Sequence, residues 1–306
     1  YALGLLIRTG NSSMEALLRV FNEYRFLASF RVVQAIVRTV LLVAVVALDW
    51  GIDGILWAEV AAIVFWVIWL SAKSVSVIRK HLEPRALLAW GSVADQRGPL
   101  VRFAAISNLN GSVLLLSRGV DTLVLGIFGS EAAVGAYRLA RLLIDQAAQL
   151  VAPIVEVIYP EVAKRVTTVE GRKTFKKRAK RLSALLFAIS AVGGIAATLL
   201  AGIGIRVYAG PGFELAADCF RLMTWGLVIY APLSWIPGFL QATDRQPWLL
   251  VQTVLSLLTL ISVTYALAAD WGPLAPSLGY LSCWVVWLVI GLPMVRAIMR
   301  QPEWNG

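Results

Sequence analysis

Arg118, Asp121, Arg138, Arg141, Asp145 and Glu156 are ionisable residues set inside long apolar runs. A charge at mid-bilayer costs about 2.5–3.5 kcal/mol on insertion scales, so such residues face a bundle interior or a wet cavity and mark transport pathways. Their spacing is helical. Asn110, Ser117, Arg118 and Asp121 stand 7, 1 and 3 residues apart, on one face of a helix. Arg138, Arg141, Asp145, Gln149 and Glu156 stand 3, 4, 4 and 7 apart, again one face. Two adjoining membrane helices with matching polar stripes imply a shared polar cavity.

Depth orders these residues. The turn between the two helices centres near Glu131, with Asp121 ten residues before it and Arg141 ten after. At ~1.5 Å per residue both lie roughly 15 Å in, near the midplane. Arg118 and Asp145 are level with one another, so Asp121–Arg141 and Arg118–Asp145 are the expected pairs, with Arg138 in surplus and nearer the outside. The guanidinium fork suits bidentate phosphate recognition. Ion pairs that only glue two helices are the alternative. Arg221, early in a later span, either adds to an outer positive field or snorkels to headgroups.

The elements that must position these groups are membrane helices. Apolar residues make up 59% of the 306 and charged residues 15%, and the mean hydropathy is +0.75. A soluble domain carries roughly 25% charged residues. Eight spans are expected, at about 32–48, 55–77, 102–127, 135–158, 183–205, 218–240, 249–268 and 275–295. In lipid, backbone groups must pair within their own segment, so the fold class is an all-α polytopic transmembrane bundle. Long runs without alternation argue against a barrel.

The connections orient the bundle. Segments 8–31, 78–101 and 160–182 and the tail carry most of the Lys and Arg, and the loops between them are short and nearly uncharged apart from a few carboxylates. Lys- and Arg-rich loops stay inside, so the C-terminus is expected in the cytoplasm. The apolar side of 13–30 (Met14, Leu17, Leu18, Phe21, Tyr24, Leu27) reads either as an interfacial helix on anionic lipid or as a helix extension into the cytosol. The 164–181 run reads as a solvated elbow. Pro153, Pro232, Pro237 and Pro293 permit bends. Trp50, Trp57, Trp248 and Trp271 sit near span ends as belt anchors. Tyr1–Ile7 reads as the tail of an apolar helix begun upstream, without the features of a signal peptide, and the chain as a fragment.

Several chemistries find no support. The net charge of +10 collects in loops without an aromatic ladder, so nucleic acid is not an expected partner. Cys219 and Cys283 form no metal spacing or disulfide framework, and His81 has no neighbouring ligand, so neither metal nor cofactor is expected. No Gly-x-x-x-x-Gly-Lys-Ser/Thr run is present for ATP hydrolysis. The outer loops are too short for an enzyme's acid–base pair.

With those features in view, the stretch 118–140 (RGVDTLVLGIFGSEAAVGAYRLA) resembles the first helix pair of a lobe in Wzx-type polysaccharide flippases of the MOP exporter superfamily. Residues 152–163 (APIVEVIYPEVA) resemble the end of that pair, and 16–28 (ALLRVFNEYRFLA) the basic connection before the fifth helix. The resemblance implies two six-helix lobes around a cavity. Residues 1–77 would be the end of the first lobe, 78–101 the connection and 102–300 the second lobe, with three to four early helices not represented. It implies transport of an isoprenoid-diphosphate-linked oligosaccharide across the bacterial cytoplasmic membrane. Arg118, Arg138 and Arg141 would contact diphosphate or acidic sugars; Asp121, Asp145 and Glu156 would balance charge or carry coupling ions. Polysaccharide polymerase or glycosyltransferase machinery would be a further partner beside membrane lipids. A drug or cation exporter of the same superfamily is the nearest rival, disfavoured by three cavity arginines; a membrane polymerase or glycosyltransferase and a structural scaffold are more distant ones.

Overall fold

Long apolar runs with few interior breaks become helices. In the computed structural model, which describes residues 14, 15, 17–19, 21, 23–81, 97–150 and 169–301, helices are the only regular elements. The chain divides into two compact units between Arg97 and Gly98, inside the expected connection.

The first unit holds α1 (Tyr24–Ala47) and α2 (Gly51–His81), joined by a tight turn in which Asp49 and Gly51 take positive φ. Leu18, Leu27, Phe30, Trp66 and Leu70 form its core. The expected helix over 13–30 is interrupted: a turn at Phe21 precedes α1, and Glu23 is held by Lys73 at 3.3 Å. On the side expected to lie on lipid or extend into the cytosol, Leu18 and Leu27 are buried, Met14 and Phe21 cover the core, and Tyr24 is exposed.

The second unit begins with α3 (Arg97–Leu116), α4 (Val120–Phe128) and α5 (Glu131–Gln149). There follow α6 (Val169–Ala209), α7 (Glu214–Leu233), α8 (Ile236–Ala242), α9 (Gln246–Trp271), α10 (Leu274–Val286), a π-helical segment Trp287–Gly291 and α11 (Leu292–Ile298). Three expected spans are therefore interrupted. The one at 102–127 breaks at Ser117–Gly119, with Gly119 capping α4. The one at 218–240 breaks at Ser234–Trp235, just after Pro232. The last passes through a π turn, a geometry with a wider hydrogen-bond loop than the α-helix.

Residues 169–181, expected as an elbow, are the first turns of the 41-residue α6. Lys and Arg are good helix formers, and Phe175 and Ala179 give these turns a face that packs on Trp235 and Phe239. Residues 164–168 lie outside the described residues.

Seven helical stretches among the described residues are long and apolar enough to cross a membrane, and the protein is a multi-pass membrane protein. The expected span 135–158 is not one of the seven. Its described part, α5, carries Glu131, Arg138, Arg141 and Asp145 in 19 residues, and the rest falls outside the described residues. Ser130 starts α5 by accepting a hydrogen bond from the Ala133 N–H at 3.3 Å.

Candidate functional site

The α4–α5 hairpin brings four of its polar side chains together. Asp121 lies in the first turn of α4, where a carboxylate is favoured by the exposed N–H groups and the helix dipole. It is fully buried. Its Oδ1 accepts from the Thr122 N–H at 2.7 Å, and its Oδ2 accepts from the Tyr137 hydroxyl and from Arg141 Nη1 at 3.2 Å. Arg141 Nε donates to Asp145 Oδ1 one turn further along α5, also at 3.2 Å. The guanidinium carbon of Arg141 stands 4.7 Å from the centre of the Tyr280 ring on α10, within cation–π range. Arg141 is thus held by two carboxylates and an aromatic face. A desolvated charge persists only when compensated in this way.

Arg141, Asp145 and Tyr280 of this network form part of the wall of a cavity of about 280 Å³ within the second unit. Arg118, Arg141, Asp145, Tyr230, Ser256 and Trp284 are among its lining residues. Arg118 is exposed, and no carboxylate pairs with it among the described residues.

Of the two pairs expected from sequence, Asp121–Arg141 forms and Arg118–Asp145 does not. Asp145 is taken by Arg141 within its own helix, an i, i+4 contact that costs little to make. Arg118 sits in the turn that breaks the span, so the continuous face assumed for Asn110, Ser117, Arg118 and Asp121 does not exist. Arg138 is exposed and does not line the cavity. Glu156 and Pro153 lie outside the described residues. Arg221 donates to Asp218 at 2.6 Å and to the Thr198 carbonyl at 3.3 Å, and lines a separate cavity of about 420 Å³ with Arg206 and Glu214. Among the described residues no group of His, Cys, Asp and Glu is placed to hold a metal ion.

Three features went unread in the sequence. Tyr137 and Tyr280 clamp the ion network, and an aromatic residue in an apolar span gives no sign of that. Arg38 on α1 pairs with Glu59 on α2 at 2.6 Å, with the Arg38 side chain 58% exposed. Its signal was available, since both are charges well inside membrane-spanning helices. Gln252 on α9 is buried against the π segment, its Nε2 donating to the Trp287 carbonyl at 3.3 Å.

The fold and the site together define a polytopic helical membrane protein with charged groups gathered inside one of its helical units. The chain belongs to the polysaccharide biosynthesis protein family, whose model matches residues 1–165, the stretch that contains the whole α4–α5 hairpin. No curated protein and no solved structure shows a significant match. Its role is therefore in polysaccharide biosynthesis, at a membrane.

Proposed function

We propose that this protein flips an isoprenoid-diphosphate-linked saccharide from the cytoplasmic to the outer leaflet of a bacterial cytoplasmic membrane, with its C-terminus in the cytoplasm, and that it performs no bond chemistry itself. The observation that carries this reading is Arg118. It is a guanidinium without a carboxylate partner among the described residues, at the wall of a cavity built from membrane helices. An ion pair made only to glue helices would have consumed that charge, as Asp121 and Asp145 consume Arg141. In this scheme Arg118 contacts an anionic group of the saccharide. Arg141 holds the cavity wall and its field, and the exposed Arg138 meets the substrate's charge outside that cavity. Asp121, Asp145 and Glu156 balance charge or carry the coupling ion. The glycan would come from, and pass to, glycosyltransferase or polymerase machinery.

The test replaces Arg118 and Arg141 with Ala in the full-length protein and measures surface polysaccharide in a deletion strain. Arg118→Ala lowers it at least tenfold at an unchanged level of membrane-inserted protein. Wild-type output from both variants removes the site. One observation favours a second reading, export of an organic cation: the carboxylate of Asp145 is half exposed in the same cavity wall. That reading requires Asp145→Asn, and not Arg118→Ala, to raise drug susceptibility.

A further inference from the structure

The end of α6 and the start of α7 carry four charges. Arg206 stands in the last turn of α6 and Glu214 in the first turn of α7, with Asp218 and Arg221 further along α7. A turn through Gly210 and Gly212, both at positive φ, joins the two helices. All four charged residues line the cavity of about 420 Å³ that the helices form there, a volume in the range of ligand pockets.

These charges do not cancel as two pairs. Arg221 spends its guanidinium on Asp218 at 2.6 Å and on the Thr198 carbonyl at 3.3 Å. Gly202 leaves room for it on α6, where a β-carbon would lie 3.4 Å from its Nη2. Arg206 and Glu214 are exposed and form no ion pair among the described residues, either with each other or with a third group. Glu214 accepts a long bond from the Gly212 N–H at 3.5 Å. The helix dipole favours a cation at a helix C-terminus and a carboxylate at an N-terminus. That accounts for the residue types, and not for two opposite charges that share one cavity unpaired.

The same cavity continues as apolar surface. Ile203 and Leu199 line it three and seven residues before Arg206, ~5 and ~10 Å deeper along α6. Both are exposed on a helix long and apolar enough to span the membrane, so this part of the cavity meets acyl chains. A ligand that fits is an amphiphile with one negative and one positive group at its polar end. An anionic lipid would satisfy Arg206 and be opposed by the unpaired Glu214. A quaternary ammonium is recognised by an aromatic cage, and Phe213 is the one aromatic among the described lining residues. A primary ammonium instead donates hydrogen bonds directly to a carboxylate.

We propose that this cavity holds the headgroup of one phosphatidylethanolamine molecule, with its phosphate on Arg206, its ammonium on Glu214 and its chains along Ile203 and Leu199. On the orientation given under the proposed function the site lies in the outer leaflet, and that leaflet is all the proposal takes from the transport reading.

The experiment is native mass spectrometry of the full-length protein released from detergent after incubation with equal amounts of dioleoyl phosphatidylethanolamine, phosphatidylcholine and phosphatidylglycerol. One phosphatidylethanolamine is retained per chain, at least fivefold over either of the others. Arg206→Gln lowers its retention at least fivefold. Glu214→Gln also lowers it and turns the preference toward phosphatidylglycerol, a reversal that a merely structural carboxylate would not cause. Glu131→Gln, an exposed carboxylate outside this cavity, changes nothing. Equal retention of the three lipids by the wild type, or a selectivity indifferent to Glu214→Gln, overturns the proposal. The wild-type comparison needs no variant, so it decides even where a substitution prevents folding. Flipping of a lipid-linked saccharide in proteoliposomes is measured in parallel. Transport without selective retention sinks the lipid site alone, whereas selective retention without transport upholds the site and sinks the flippase reading.

Discussion

Arg141 on α5 reaches Asp121 on α4 at 3.2 Å, twenty residues away in sequence and wholly shielded from solvent on the Asp121 side. A buried pair of this kind contributes little relative to an apolar substitute, yet losing one partner strands the other. Arg141→Met leaves the buried Asp121 carboxylate with only the Tyr137 hydroxyl and the N–H and hydroxyl of Thr122, and should cost about 3–5 kcal/mol. The double replacement Arg141→Met with Asp121→Asn removes both charges and should recover most of that stability. Unfolding in detergent, followed across the wild type, both single variants and the double, measures the coupling. A double variant no more stable than Arg141→Met alone contradicts the pairing.

Arg38 and Glu59 make a different demand. Arg38 stands nine residues before the end of α1 and Glu59 eight after the start of α2, so at ~1.5 Å per residue both lie about 12–14 Å below the connecting turn. A charge pair at that depth does not face acyl chains. In a variant with Cys219 and Cys283 replaced by Ala, a cysteine at Arg38 should react with a membrane-impermeant maleimide. One at Val43, exposed on the same apolar helix, should not. Equal protection of both would place the pair against dry protein or lipid.

The helical membrane architecture was legible because length and hydropathy alone decide it: runs such as 249–268 and 183–205 have no other stable form in lipid. The Asp121–Arg141 pair was legible too, since equal distance from a turn fixes equal depth. The Arg118–Asp145 pair was misread for a local reason. Ser117-Arg118-Gly119 carries only the weak break signal of one glycine, and a competing partner one helical turn from Asp145 wins over a level partner on another helix. The elbow at 169–181 was misread because charge density was taken for irregularity, although Phe175 and Ala179 already marked a buried helical face. The π turn at Trp287–Gly291 carries one sequence signal, Pro293 just beyond it, which lacks a backbone N–H and crowds the preceding turn; that marks a bend without saying which geometry it takes.

Gly226 sets the distance between α7 and α10 at Tyr280 and Trp284, two residues that line the cavity. A β-carbon there would lie 2.9 Å from atoms of both the Tyr280 and the Trp284 rings, closer than such contacts occur. Gly226→Ala should therefore destabilise by about 1–3 kcal/mol, as overpacking does, and displace the two rings. Gly135→Ala is the control. It is also helical, with nothing within 4 Å of its added carbon, and should be neutral or stabilise by up to ~1 kcal/mol. Thermal unfolding of the two variants side by side checks the contrast. A Gly226→Ala protein as stable as the control would mean the close approach is not maintained.

Gln252 does for the π segment what a cap does for a helix end. Its amide donates to the Trp287 carbonyl at 3.3 Å, and Gly291 leaves it room, because a β-carbon at that position would collide with the amide group. The other amide atom, Oε1, has no partner, so only the donor half of the amide is used. Gln252→Leu keeps the volume roughly constant and removes that donor, losing one buried hydrogen bond at a cost of about 0.5–1.5 kcal/mol. The nearest relief is for residues 287–291 to wind into a regular α-helix, which rotates everything after Gly291 relative to Trp287 and the cavity. Hydrogen exchange should then show altered protection confined to 287–298, with α9 itself unchanged. Unaltered exchange in that window, at equal stability, would show that packing around Trp287 sustains the π turn without Gln252.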